Sequence, residues 1–313
     1  MGDGVSTGTV LAGTSSGLVA LGGAGDVRNV RKVLDGHRVD DVARGPEGWL
    51  ALVDGDSLWR ADGAGGDWEP FATIGGPTAT CLLPADGAVI VGTEEAHLVR
   101  VDGTTAERLR AFDEADGRDG WYTPWGGPPD ARSLAIGPDG ALYANVHVGG
   151  IVRSTDAGAT WAPTIDVDAD VHQVFVAAAG DVLAATAYGL ARSRDGGATW
   201  MFVTDGLHDD YSRALAVADE WLLLSASTGP RTRQAAVYRR PLAAADDVPF
   251  ERCRDGLPEW FEGNVDTRCL AAAGERAALA TADGAVYVSD DAGASWTQAA
   301  SGLDSIACLA VTS

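Results

Sequence analysis

Short apolar runs recur along the chain, each followed by a turn rich in Gly, Asp or Pro. Three stretches align from end to end: "RSLAIGPDGALYANVHVGGIVRSTDAGATW", "HQVFVAAAGDVLAATAYGLARSRDGGATW" and "RCLAAAGERAALATADGAVYVSDDAGASW". Each reads as an apolar strand, a turn, a second strand, a Gly-containing turn, a third strand, an octapeptide and a fourth strand. A four-stranded unit recurring every ~40 residues is the pattern of a propeller blade. Equivalent first strands open at Asp40, Thr80, Arg132, His172, Arg213, Arg268 and Ala307, which makes seven. The N-terminal "GTVLAGTSSGLVALGG" has later strands with no first strand before them, and the C-terminal "SIACLAVTS" is a first strand with nothing after it. The two ends therefore complete one blade and leave no open sheet edge. The expected fold is all-β: a seven-bladed β-propeller of four-stranded antiparallel blades, one domain over 1–313. Blades are placed near 305–313 with 8–34, then 38–73, 78–111, 131–165, 170–204, 211–254 and 266–300.

The octapeptides "STDAGATW" (154–161), "SRDGGATW" (193–200) and "SDDAGASW" (289–296) read as turn chemistry. Asp156, Asp195 and Asp291 can accept backbone N–H bonds. Gly158, Gly197 and Gly293 permit positive φ, and Trp161, Trp200 and Trp296 can pack between sheets. The motif resembles the Asp-box, or BNR repeat, S-x-D-x-G-x-[ST]-W, of sialidases and other propellers in the wider WD40/YVTN/BNR-like group. Degenerate copies such as "RADGAGGDW" (60–68) are expected in the remaining blades. The resemblance implies a propeller of six to eight blades with the octapeptides opposite the usual ligand face. Sialidases also carry an Arg-Ile-Pro motif near the N-terminus, which this chain lacks, so the resemblance does not extend to classical sialidase activity. Glycoside-hydrolase-like and photosystem-assembly-like members of the group remain as analogies.

Composition narrows the partners. The 313 residues carry 45 Asp and Glu against 23 Lys and Arg, a formal net charge of −22, with Lys32 the single lysine. Such a surface repels nucleic acid and acidic membranes. It resembles proteins of salt-accumulating halophiles, in which dense salt screens the self-repulsion. No apolar run reaches membrane-spanning length, and "MGDGVSTGTVLAG" lacks the basic and apolar regions of a secretory signal, so a cytoplasmic, monomeric protein is expected. Cys81, Cys253, Cys269 and Cys308 form no C-x-x-C pair and read as buried thiols.

The candidate chemistry lies on the face opposite the octapeptides. His37, His172 and His208 fall where blades begin, and His97 and His147 in turns between second and third strands. Arg132, His172, Arg213 and Arg268 open four consecutive blades and should ring the channel mouth, where guanidinium forks can bind carboxylate, sulfate or phosphate. Arg231 and Arg233, in the long stretch 227–236, could join them. The plainer alternative pairs each arginine with a nearby acid such as Asp130, Asp209, Asp210 or Asp266. "GLHDDYSRA" gathers His208, Asp209, Asp210 and Tyr211, a set suited to acid–base catalysis, with Tyr211 as a nucleophile of the kind some sialidases use. His147, His172 and His208 could converge on a divalent metal with Asp209 or Asp210. Trp121, Tyr122 and Trp125, with Trp260 and Phe261, in the two long insertions could form a stacking wall for a sugar or other planar ligand, or plug their own loops, and Tyr188 could offer its hydroxyl near the mouth. Three functions follow: a top-face pocket for a small anionic or carbohydrate ligand, a non-catalytic propeller holding a protein partner, and a metal-dependent enzyme using the histidines.

Overall fold

The computed structural model describes residues 8–22 and 30–312. Residues 1–7, 23–29 and 313, which fall within the expected N-terminal segment and first blade, lie outside the described residues. Seven four-stranded antiparallel sheets follow one another around a ring. Blade 1 joins the C-terminal Ile306–Val311 to Val10–Thr14, Gly17–Leu21 and Val30–Val33. Cys308 pairs with Gly13 and Ala310 with Leu11, so the two ends of the chain share one ladder and the ring is closed. Blades 2 to 7 begin with inner strands Val39–Gly45, Ala79–Ala85, Ala131–Ile136, Val171–Val176, Leu215–Ala218 and Leu270–Ala273.

The second strands, such as Leu142–Val146 and Val182–Thr186, are buried on both faces. They are mostly apolar rather than alternating, because each sheet is covered by a neighbour on either side. The fourth strands are the most exposed of each blade. Cores lie between blades: Leu183 and Leu190 of blade 5, for example, pack with Leu222, Leu224 and Tyr238 of blade 6. All four cysteines are buried and free, and burial pushes the thiols of Cys81, Cys253 and Cys269 up to about 12.

The three octapeptides are self-contained turns between third and fourth strands. Asp156 accepts from the Thr160 backbone N–H at 2.8 Å and from the Thr160 hydroxyl at 2.6 Å. Ser154 donates to Asp156 at 2.8 Å and accepts from the Gly158 N–H at 2.9 Å. Gly158 sits at φ 92°, and the Trp161 indole N–H donates to its carbonyl at 3.1 Å. The same bonds recur around Asp195 and Asp291. Each indole seats in the groove against the preceding blade: Trp161 meets Phe112 edge-on at 5.1 Å, and Trp200 donates to the Thr164 carbonyl at 2.8 Å. Hydroxyl and amide donors hold the Asp156 and Asp195 carboxyls down at about 2. Blade 3 departs from the expected set of degenerate copies. Its third and fourth strands are joined by the two-residue turn Gly103–Thr104, with Asp102 paired to Thr105.

Candidate functional site

At the top of the inner strands the ladder repeats one irregularity. Register shifts between Val39 and Asp41, Ala79 and Cys81, Ala131 and Ser133, and Val171 and Gln173 leave Asp40, Thr80, Arg132 and His172 as extra residues. A bulge of this kind bends the strand and re-aims one side chain. In these four strands the extra residue is polar, whereas the equivalent shift in the closing strand leaves Ala307.

His172 is fully buried. Its Nδ1 donates to the Ser212 carbonyl at 2.7 Å, so Nε2 carries the lone pair, and that nitrogen is buried without a protein partner. Burial first, then the Arg132 and Arg213 charges, push the imidazole down to about 3, so it is neutral at ordinary pH. Its Nε2 lies 3.6 Å from Asp170 Oδ2. Asp170 closes a short 3-10 turn (Val167–Ala169) in the left-handed region at φ 45°, a conformation that costs a non-glycine residue energy. His147 comes from the neighbouring blade, on the tight turn after Leu142–Val146, with Nε2 3.7 Å from Asp170 Oδ1 and Nδ1 3.6 Å from Asp130. Ligand atoms of His147, Asp170 and His172 all lie within 4.8 Å of one another.

Charged groups surround this cluster. Burial pulls the Arg132 guanidinium below its ordinary range, more than the adjacent Asp130 carboxylate restores, and its Nη1 has no protein partner. Burial opposes the Asp130 charge too, but His147 and Arg132 outweigh it and hold that carboxyl below the usual range. Arg213 pairs with Asp266 and donates to the Tyr211 oxygen at 3.3 and 3.1 Å, while the Tyr211 ring packs 4.8 Å from His172. Trp125, 69% exposed, stands 4.9 Å from the His147 ring.

The expected ring thus divides. Arg132, His172 and Arg213 come together at the mouth, whereas Arg268 turns across the channel. Its Nη1 reaches the Thr80 carbonyl at 2.5 Å and Asp41 at 3.4 Å, on the inner strands of blades 3 and 2. Burial works against the Arg268 charge, but Asp41 outweighs it and keeps the guanidinium above its ordinary range.

His208 is not in the cluster. It bonds the Tyr238 hydroxyl at 2.8 Å and the Gln234 carbonyl at 3.0 Å, and packs 4.6 Å from Trp260, itself covered by Arg252 at 3.9 Å. The loop that carries His208 folds onto its own blade, and the third member of the cluster is instead Asp170. Trp260 leaves the sugar wall for the same reason, and Tyr188 is exposed on its turn. Asp209 and Asp210 are exposed, with Asp209 accepting from the Asp210 N–H at 2.8 Å. Arg231 and Arg233 are exposed on 227–236, a stretch held to the second insertion by Asn264, which donates to the Gly229 and Pro230 carbonyls at 3.2 Å. His37 pairs with Asp54 at 2.7 Å and His97 with Asp113 at 2.6 Å. The overlooked Asp170 had a signal in "DVH": an acid two residues before a bulged histidine.

No family model matches the chain, and no curated protein matches it. Solved structures do match. A 6-phosphogluconolactonase-type protein from Bacteroides uniformis superposes with a TM-score of 0.67 at 12% identity, over 98% of this chain and 99% of that one. The GH74 enzyme of Niastella koreensis gives 0.66 at 13%, over 96% of this chain and 53% of its own. YCF48 from Cyanidioschyzon merolae gives 0.58 at 15%, over 83% and 84%. The likeness is one of fold. Among the described residues no helix is long and apolar enough to cross a membrane.

Proposed function

We propose that the propeller holds a divalent transition-metal ion at His147, Asp170 and His172 and binds a small anionic ligand, of the sugar-acid or phosphosugar class, beside it. The observation that carries this reading is the His172 imidazole: one nitrogen is fixed by a carbonyl, and the other, neutral and buried, is aimed without a partner at Asp170. That is how a protein prepares a histidine to ligate a metal. Two imidazoles and a carboxylate suit zinc, manganese or iron, with room left for a ligand oxygen.

Charge supports the anion. Asp130, Asp170 and Asp266 against Arg132 and Arg213 leave the mouth with one net negative charge. A divalent cation reverses it to one positive, so metal loading would precede anion binding. The unpartnered Arg132 Nη1 and the exposed Trp125 ring then offer a guanidinium and a planar wall to a carboxylated or phosphorylated sugar. Bound metal supplies a Lewis acid for the ligand oxygen. Tyr211, against His172, is the nearest hydroxyl for proton exchange in a hydrolase-like or lyase-like step. In the same reading the octapeptides are Asp-boxes, and the acid-rich surface is that of a monomer from a salt-accumulating cytoplasm.

A second reading, a propeller that holds a protein partner, is favoured by the pairing of Arg213 with Asp266 and of Arg268 with Asp41. Calorimetric titration of chelator-stripped protein with zinc and manganese separates the two. The metal reading expects one site per chain, lost in His172→Ala and kept in His208→Ala, and phosphosugar binding that needs both metal and Arg132. Absence of metal binding in the unsubstituted protein overturns it.

A further inference from the structure

The octapeptide tryptophans fill a series of equivalent places. Between third and fourth strands at the lower face, the turns of blades 2, 4, 5, 6 and 7 each send a side chain into the groove against the blade before it. Trp161 goes in between blades 3 and 4, Trp296 between blades 6 and 7, and Trp200 between blades 4 and 5. Trp68 does the same between blades 1 and 2, and in blade 6 Phe250 is the aromatic side chain, covered by Arg240 at 5.3 Å. Blade 3 sends nothing, because a turn of Gly103 and Thr104 is too short to carry an indole.

The groove between blades 2 and 3 is consequently open. It is a cleft of about 820 Å³ on the lower face, bounded by the turns of both blades, with Leu50, Phe71, Pro84 and Val101 among its walls. Its rim holds Glu47, Asp62, Asp67 and Glu69, all exposed. The rim's Arg60 is spoken for: its Nε donates to Glu69 at 2.8 Å.

We infer that this cleft is a docking site for a tryptophan of a partner polypeptide, carried in an arginine- or lysine-rich segment. The indole would enter as the molecule's own indoles enter the neighbouring grooves, burying an aromatic side chain against apolar walls. The basic residues beside it would meet the rim carboxylates of Glu47, Asp62 and Asp67, Glu69 being paired with Arg60, which favours such a segment over an acidic or neutral one. The cleft faces away from the channel mouth, so this inference does not depend on the proposed metal and anion site.

The probe is an acetylated, amidated pentapeptide of two arginines, a tryptophan and two arginines, labelled for fluorescence anisotropy and titrated at high salt. A control peptide carries alanine in place of tryptophan. Three outcomes support the inference together: saturable binding of the first peptide, at least tenfold weaker binding of the control, and a tenfold loss in the Asp62→Lys, Asp67→Lys double variant, whose changes are on exposed positions. A further variant replaces Gly103–Thr104 by the turn Ser154–Trp161, so that blade 3 supplies its own indole. It should melt at a higher temperature and no longer bind. Equal binding of both peptides would mean simple counter-ion attraction and overturn the inference, as would undiminished binding by the charge-reversed double variant. Sedimentation showing that the cleft instead joins two copies of the chain would also overturn it.

Discussion

Ser154, Asp156, Thr160 and Trp161 meet their hydrogen-bonding needs within one octapeptide. At the opposite end of blades 4 and 5, Arg132 Nη1, Asn145 Oδ1, Asp170 Oδ1 and His172 Nε2 are buried without a protein partner. A turn that satisfies itself needs nothing from a ligand and can be repeated wherever the scaffold requires one. A buried polar atom without a partner costs about 1–3 kcal/mol, so several in one place point to a ligand that satisfies them. Within a repeat protein, then, the recurring motif marks architecture and the unsatisfied departures mark chemistry.

The comparison can be broken most severely at the ring closure. Deleting Ile306–Val311 unpairs Val10–Thr14 and opens the ring, removing both regions together. The expected result is loss of cooperative thermal unfolding by circular dichroism; a truncated chain that melts unchanged would show that closure contributes nothing. Next comes the lower face alone. Trp161→Ala empties a groove packed against Phe112 and should cost about 3–5 kcal/mol in urea unfolding, with metal binding at the mouth retained.

Acid sharpens the contrast further. The folded Asp156 and Asp195 carboxyls sit at about 2, below the ~3.9 of an unfolded aspartate. A depressed carboxyl stabilises the fold above its unfolded pKa, and that contribution disappears as pH falls from about 4 through about 2. Replacing both residues by asparagine should therefore lower stability near neutrality, flatten the stability–pH profile in that window and make little difference below about pH 2. The smallest effect is expected at the mouth and has the opposite sign. Asp170→Gly relieves a left-handed residue at φ 45° and should stabilise the protein by about 0.5–1 kcal/mol while abolishing metal binding. Destabilisation of similar size would show that Asp170 serves the fold.

Much of the ring was legible because turn residues and apolar runs are local signals. Even the bulge was visible: Asp40, Thr80, Arg132 and His172, read as the openings of first strands, are the extra residues in the ladder. A polar residue before an apolar run is what re-aiming one side chain requires. Side-chain direction inside the loops was not legible. His208 and His172 both precede or open inner strands, yet one folds back onto Tyr238 and the other points into the mouth. The spacing of Asp170 in "DVH" is legible, but the direction of its side chain depends on a left-handed backbone angle that the sequence does not announce. Arg268 belonged to the expected ring by alignment, but a buried carboxylate on a distant blade captured it. The missing blade 3 octapeptide was legible in "VDGTTAERL" and passed as a degenerate copy.

The reach of Arg268 from blade 7 to Asp41 and Thr80 has a consequence for traffic through the molecule. A guanidinium that joins blade 7 to blades 2 and 3 sets a fixed obstacle in the axis of the ring. A ligand held at the proposed site above the histidines would then leave by the opening through which it came. Exchange at such a site would be limited by the clearing of that opening, and an excess of one bound ligand would bar the next simply by occupying the way in.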